Sequence, residues 1–175
     1  TILDAIGDNN KPAVVPIKGS KSKSGITVKG IHDLAVRFSK CCSPVPGDEI
    51  VGFVTRGRGI TIHRTDCINV LNLPEIERSR LIDAEWQGVE EDNSAATYST
   101  EISIFANNRI GMFVDISKIF TEREIDIKTM NSRVNKQGKA TITMSFDIHG
   151  IEELNNLMAK LRQIDGVLDI ERTTG

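Results

Sequence analysis

The sequence predicts an α+β protein in two modules, a small β-rich unit with one short helix followed by a ferredoxin-like βαββαβ unit. Three observations predict it. From Ala140 to Ile148 apolar and polar residues alternate with a strict period of two. Two sets, Met112, Phe113, Ile116, Ile119, Phe120 and then Leu154, Leu157, Met158, Leu161, Ile164, recur at helical spacing. Gly88–Thr97, polar, acidic and without either period, divides this region from an earlier one of short strands and turns.

In chain order, residues 1–10 read as the end of a preceding helix (Ile2, Leu3, Ile6), and Lys11–Gly25, rich in Lys, Ser, Gly and Pro, as a linker. The first module is expected over residues 26–87. Its strands are Glu49–Thr55 and Gly59–Arg64, joined by a tight turn at Arg56-Gly57-Arg58. Asp66 can cap a helix reaching about Leu73, where Pro74 stops it, and Leu81–Trp86 closes the unit as a strand. After the linker 88–97, the second module spans residues 98–175. It opens with a strand at about Ser99–Ala106 and continues with the first helical stripe and a β-rich run, Ile125–Val134. A hairpin turn at Lys136-Gln137-Gly138 leads into the alternating strand; the second stripe ends at Gly166, and Val167–Arg172 is the last strand. That order gives an antiparallel sheet with both helices on one face. Thr141, Thr143 and Ser145 then lie on the other face, which is suited to pairing with a second copy.

A chain of 175 residues, 39% hydrophobic and 26% charged, is ordinary globular material. Modules of about 65–80 residues are marginal alone, so a metal, a partner or dimerisation is expected to support them. There is no apolar run of about 18 residues and no basic-then-apolar start, so neither a membrane span nor a signal peptide is expected. A chain that begins at Thr1 is expected to be cut from a longer one. The three cysteines lie between Cys41 and Cys67. An odd count with two adjacent thiols points to metal or redox chemistry in a reducing, cytoplasmic setting rather than to a disulfide set. The net charge of -2 hides an asymmetry. Lys11–Cys67 carries ten Lys/Arg against four Asp/Glu, a net +6, and Glu75–Gly175 twelve against eighteen, a net -6. The first part suits a polyanion and the second does not.

The sharpest constellation is Cys41-Cys42, twenty residues, His63, three residues, Cys67. Three thiols and an imidazole are a ligand class for one structural, tetrahedral zinc ion. Cys67, at the start of the expected helix, lies where the macrodipole favours a thiolate. The plainer alternative is two buried thiols and one exposed. Arg56 and Arg58 project from the expected hairpin tip, with Lys40 and Arg64 nearby in sequence; guanidinium forks suit phosphate oxygens, and a solvated basic face is the alternative. Asn108, Ile110, Gly111 and Met112 mark a strand-to-helix turn whose free N–H groups can receive a carboxylate, or which is only a helix entry. The catalytic patterns G-x-x-x-x-G-K-[ST], H-E-x-x-H and G-x-S-x-G do not occur. His32-Asp33 lacks the further ligands that a metal phosphohydrolase needs, and Lys139–Phe146 lacks the aromatic pattern of a base-stacking RNA-binding sheet.

Three blocks carry a family resemblance: Lys40-Cys41-Cys42-Ser43-Pro44-Val45-Pro46-Gly47-Asp48-Glu49-Ile50-Val51-Gly52, then Thr55-Arg56-Gly57-Arg58-Gly59, then His63-Arg64-Thr65-Asp66-Cys67. Together they resemble the C-terminal region of long RelA/SpoT homologues, the enzymes that make and hydrolyse (p)ppGpp. The resemblance implies a zinc-finger-like (CC/RIS) domain over residues 26–87 and an ACT domain over 98–175, with Asn108-Arg109-Ile110-Gly111 in the ACT D/N-x-x-G turn. It implies a non-catalytic regulatory fragment that neither makes nor degrades (p)ppGpp. Its implied partners are ribosomal RNA and tRNA, the catalytic domains of the same parent chain, and a second copy through the ACT domain. The second reading is an amino-acid-sensing dimerisation module, with a branched-chain amino acid at Asn108, Ile110, Gly111 and Met112 and the basic half only a tether.

Overall fold

The computed structural model describes residues 26–28, 35–57, 59–86 and 96–173. The expected helix end and linker in 1–25, and all of the linker 88–97 except Ala96 and Thr97, lie outside the described residues.

The first module is a sheet of five strands in the order β1-β5-β3-β4-β2. These are β1 (Ile26–Val28), β2 (Val36–Phe38), β3 (Ile50–Thr55), β4 (Gly59–Arg64) and β5 (Leu81–Trp86). The β3–β4 hairpin pairs Ile50 with Arg64 through Thr55 with Gly59. β2 runs parallel to β4, with Val36 opposite Ile60 and Phe38 opposite Ile62. Strands of three residues are too short to show a period, which is why β1 and β2 are missing from the reading of the sequence. The expected helix differs too. α1 is only Ile68–Leu71, and a second short helix, α2 (Glu75–Arg78), starts directly after Pro74. Asp66 does not cap α1: Cys67 is the N-cap residue, without a side-chain cap, and Asp66 is turned back onto Arg64.

The second module has the order β7-β8-β6-β9, all antiparallel. Its elements are β6 (Tyr98–Asn107), α3 (Met112–Glu122), β7 (Ile127–Val134), β8 (Lys139–Ile148), α4 (Ile151–Arg162) and β9 (Val167–Arg172). The period of two in β8 is realised directly: Ala140, Ile142, Met144, Phe146 and Ile148 are buried, and Thr141 is exposed. They meet Met112, Ile116 and Phe120 of α3 and Leu154, Leu157 and Leu161 of α4, and Phe120 packs edge-to-face on Phe146 with ring centroids 5.0 Å apart. Phe113, expected on the apolar stripe, is 41% exposed and faces away from this core. No helix among the described residues is long and apolar enough to cross a membrane.

The two modules are not beads on a tether. The segment Ser43–Asp48 leaves the first module and seats in the second, with Val45 fully buried in the core of the βαββαβ unit. Asp48 forms a two-pronged ion pair with Arg172 of β9, at 2.7 and 2.9 Å, and both side chains are about nine-tenths buried. The Asp48 carboxylate also accepts the Val45 N–H, and Arg172 donates to the Ser43 carbonyl. Pro46 offers its carbonyl to the first N–H of α4, at Ile151. Phe38 and Trp86 of the first sheet stack with centroids 5.7 Å apart, and Tyr98 of β6 meets both edge-on.

Gly47 is where this seat is tightest. Its φ is +100°, and a Cβ there would stand 2.1 Å from Ile151 Cγ2. Gly57, at the hairpin tip, has φ +74° and nothing within 4 Å. Gly57→Ala should therefore cost about 1 kcal/mol through left-handed strain alone, whereas Gly47→Ala should cost on the order of 2–4 kcal/mol through strain plus overpacking. Denaturant titration of both variants checks the difference; equal losses would mean that Ile151 yields to the added methyl group.

Candidate metal centre

Adjacent cysteines diverge in an extended chain, and here they do not lie in one. Ser39 continues the β2–β4 ladder by donating to Ile62 O, and then Ser43 N–H closes a turn onto Ser39 O. Ser43 takes φ +44°. Cys41 and Cys42 sit inside that turn and present both sulfurs to β4. His63 comes from β4 and Cys67 from the N-cap of α1.

The four donor atoms lie within 4.8 Å of one another. Cys41 Sγ is 3.4 Å from His63 Nδ1 and 3.5 Å from Cys67 Sγ, and Cys42 Sγ is 3.8 Å from His63 Nδ1. A tetrahedral zinc with Zn–S of about 2.3 Å and Zn–N of about 2.0–2.1 Å sets its sulfurs about 3.8 Å apart and each sulfur about 3.6 Å from the nitrogen. These three separations match, to within a few tenths of an ångström, what one tetrahedral ion requires, and all four donors lie close enough together to share one. Cys42 and Cys67 are 1% and 0% exposed, which suits a closed structural site rather than one that holds a reacting water.

Neighbours orient the ligands. Arg64 N–H donates to Cys42 Sγ at 3.3 Å, and Ser39 Oγ lies 2.7 Å from Cys41 Sγ. Burial pushes the Cys42 thiol up to about 12, reinforced by the neighbouring cysteines. Burial raises Cys67 as well, against the expectation of a thiolate favoured by its helix; α1 is a single turn and offers little dipole. Burial also acts on Cys41, but hydrogen bonds from Ser39 and Asn69 outweigh it and hold that thiol below its ordinary range. Burial depresses His63, favouring the neutral imidazole that a metal needs.

The other candidate residues divide. Lys40 and Arg56 are exposed; Arg58 lies outside the described residues. Arg64 is not available to phosphate. It is 6% exposed, its guanidinium holds Asp66 at 2.9 and 2.5 Å, and Nη1 donates to Cys42 O and Thr173 O. Its position on β4 turns it inward between the metal donors and the second module. At the strand-to-helix turn Asn108 and Gly111 are exposed, and Ile110 is fully so. Met112 is 0% exposed and belongs to the core, so it cannot line an open ligand site. Arg109, between them, is tied to Asp165 O, Ile110 O and the Asp115 carboxylate. Reading the sequence missed Ser39, Asp48 and Arg172. Asp48 and Arg172 stand 124 positions apart, and no local pattern pairs them. It also missed a cleft of about 570 Å³ between Phe38, Lys40 and Pro44 of one module and Tyr98–Glu101 of the other.

Comparison with known proteins identifies both halves. Residues 26–87 match the RelA/SpoT RIS domain and residues 94–172 the ACT domain. The chain is 34% identical over 172 residues to a GTP pyrophosphokinase of Escherichia coli K12, covering 98% of this chain and 23% of that protein. A GTP pyrophosphokinase of Streptomyces coelicolor is 31% identical over 150 residues, covering 86% of this chain and 17% of the relative. The chain thus spans about a quarter or less of the length of these relatives. A crystal structure of the ACT domain from GTP pyrophosphokinase of Chlorobium tepidum is 26% identical with a TM-score of 0.40, over 44% of this chain and 99% of that one. With RIS and ACT domains in succession and 98% of this chain matched to the E. coli enzyme, the chain belongs to the RelA/SpoT family, as the C-terminal RIS and ACT regulatory region.

Proposed function

We propose that this chain is the non-catalytic regulatory unit of a cytoplasmic (p)ppGpp synthetase/hydrolase of the stringent response, which docks on ribosomal RNA and tRNA and restrains the catalytic domains of its parent chain. The observation that carries the reading is the division of the first module's charges. Arg56 stands exposed at the β3–β4 tip and Lys40 exposed in the turn after β2, near the other end of β4, while Arg64 is buried, so cations are offered at the surface without disturbing the interior. Phosphate contacts release counterions, and each contributes about 0.7–0.9 to the slope of log affinity against log salt. Changing Arg56 and Arg58 together to Ala is expected to flatten that slope by about 1.5 for ribosome binding. An unchanged affinity and slope would make the tip a solvated face.

Within this reading Cys41, Cys42, His63 and Cys67 hold one structural zinc ion. Zinc binding in small structural sites contributes on the order of 10 kcal/mol to folding, enough to support a five-stranded module of this size. Metal must displace the protons of the raised Cys42 and Cys67 thiols. Zinc titration at pH 7, run calorimetrically in buffers of different ionisation enthalpy, is expected to release at least two protons per ion bound. Release of fewer than two, or no bound metal under reducing conditions, would favour free thiols.

A second reading, of amino-acid sensing by an ACT dimer, is favoured by the open turn at Asn108, Ile110 and Gly111, where a φ of +82° leaves the Gly111 backbone bare. Such a turn lets a ligand carboxylate approach the N–H groups that open α3. Calorimetry of the chain with valine, leucine or isoleucine is expected to give saturable heat that Gly111→Val abolishes. Silence at millimolar ligand would leave dimerisation or docking as the role of this domain.

A further inference from the structure

Metal binding and module docking share the same short stretch of chain. Cys42, a metal donor, is followed at once by Ser43, whose carbonyl accepts from Arg172 at 3.1 Å, and then by Val45 in the core of the ACT domain. A second connection runs the other way. Arg64 follows the donor His63 and touches Cys42 twice, its N–H to the sulfur and its Nη1 to the carbonyl, each at 3.3 Å. The same Nη1 reaches Thr173 O, 3.4 Å away, just beyond β9. Two arginines therefore cross the junction in opposite senses, Arg64 from the metal ligands to the end of β9 and Arg172 from β9 to the residue after the metal ligands. Both are buried or nearly so.

We infer that Arg64 and Arg172 couple the Cys41/Cys42/His63/Cys67 metal site to the docking of the RIS and ACT domains, so that metal loss releases the ACT domain and undocking weakens metal binding. The physical reason is the tight turn 39–43. With an ion in place, Cys41 and Cys42 are both fixed, and the carbonyls of Cys42 and Ser43 point at the two guanidinium groups. Without it, four crowded donors, two of them buried, have little to hold the turn, and both arginines lose a positioned acceptor. The inference rests on the metal reading above and adds to it a direction of regulation: the ion controls the relative placement of two domains and performs no chemistry itself.

Linkage makes the inference measurable. If the ion favours docking by some factor, docking favours the ion by the same factor, commonly about 5–150-fold in coupled sites. The variant to use is Arg172→Met, far from the metal in sequence and touching none of its donors; Val45→Ala perturbs the same junction without a charge change. In the 175-residue chain, competition with a chromophoric zinc chelator is expected to show affinity falling about ten-fold or more in Arg172→Met and by a smaller factor in Val45→Ala. Stripping zinc from the unmodified chain is expected to increase its radius of gyration in small-angle scattering and to change the emission of Trp86, whose indole N–H donates to Asp48 O at 3.0 Å. Far-ultraviolet circular dichroism of the zinc-loaded variants verifies that both remain folded. Equal zinc affinity in folded Arg172→Met, or unchanged scattering on stripping, overturns the coupling while leaving the metal site intact. A chain that binds no zinc at all overturns the metal reading together with this one.

Discussion

The ion pair between Asp48 and Arg172 is the contact on which the relation of the two domains depends. A buried charge is tolerable only when paired and hydrogen-bonded, and these two supply each other with two bonds while Asp48 takes a third from Val45 N–H. Of the guanidinium nitrogens only Nε is left buried without an acceptor. Loss of either partner would strand a charge in a dry junction, at a cost of about 3–5 kcal/mol. Geometry fixed so firmly at one point sets everything beside it: Val45 is directed into the ACT core, Pro46 O becomes the acceptor for the open end of α4, and Gly47 must pass against Ile151.

That junction also explains why a short, cysteine-rich module can stand next to a well-packed one. The ACT domain has a continuous apolar core running through both helices and the inner face of its sheet. The RIS domain has instead two small clusters, one around Ile26, Ile60, Ile62 and Ala84 and one around Cys42, Cys67 and Val70. Small domains bury a smaller share of their surface and depend on staples for that reason. The buried junction is one such staple, and the Cys₃His set, once it holds a metal ion as proposed, would be a second.

The charge pattern follows the same division. Cations of the first module that take part in the fold, such as Arg64 and Arg80, are held by Asp66 and Glu77. Among the described residues of Lys11–Cys67, Arg37, Lys40 and Arg56 are exposed and Arg64 is buried. Counting charges along a sequence cannot separate these roles, because burial is decided by strand register. Arg64 falls on the inward phase of β4, two places after Ile62, whereas Arg56 falls in a turn.

The sequence by itself determined the βαββαβ domain, because its strand β8 and both helices are long enough to display their periods. Ten residues of β8 and eleven or twelve of each helix give the apolar phase several chances to repeat. It also singled out Cys41, Cys42, His63 and Cys67, which the fold brings together as a cluster that could hold a metal, and the RelA/SpoT resemblance, since the cysteine-proline-glycine block is distinctive. The tertiary structure alone decided what has no local period: the three-residue strands β1 and β2, the turn that brings Cys41 and Cys42 to one side, the burial of Arg64 and Met112, and the outward turn of Phe113. It decided above all that Ser43–Asp48, which reads as a loop rich in proline and glycine, is the plug between the domains. Its partners, Ile151 and Arg172, are brought to it by the folding of another domain, and contacts at such a separation leave no mark on the residues between them.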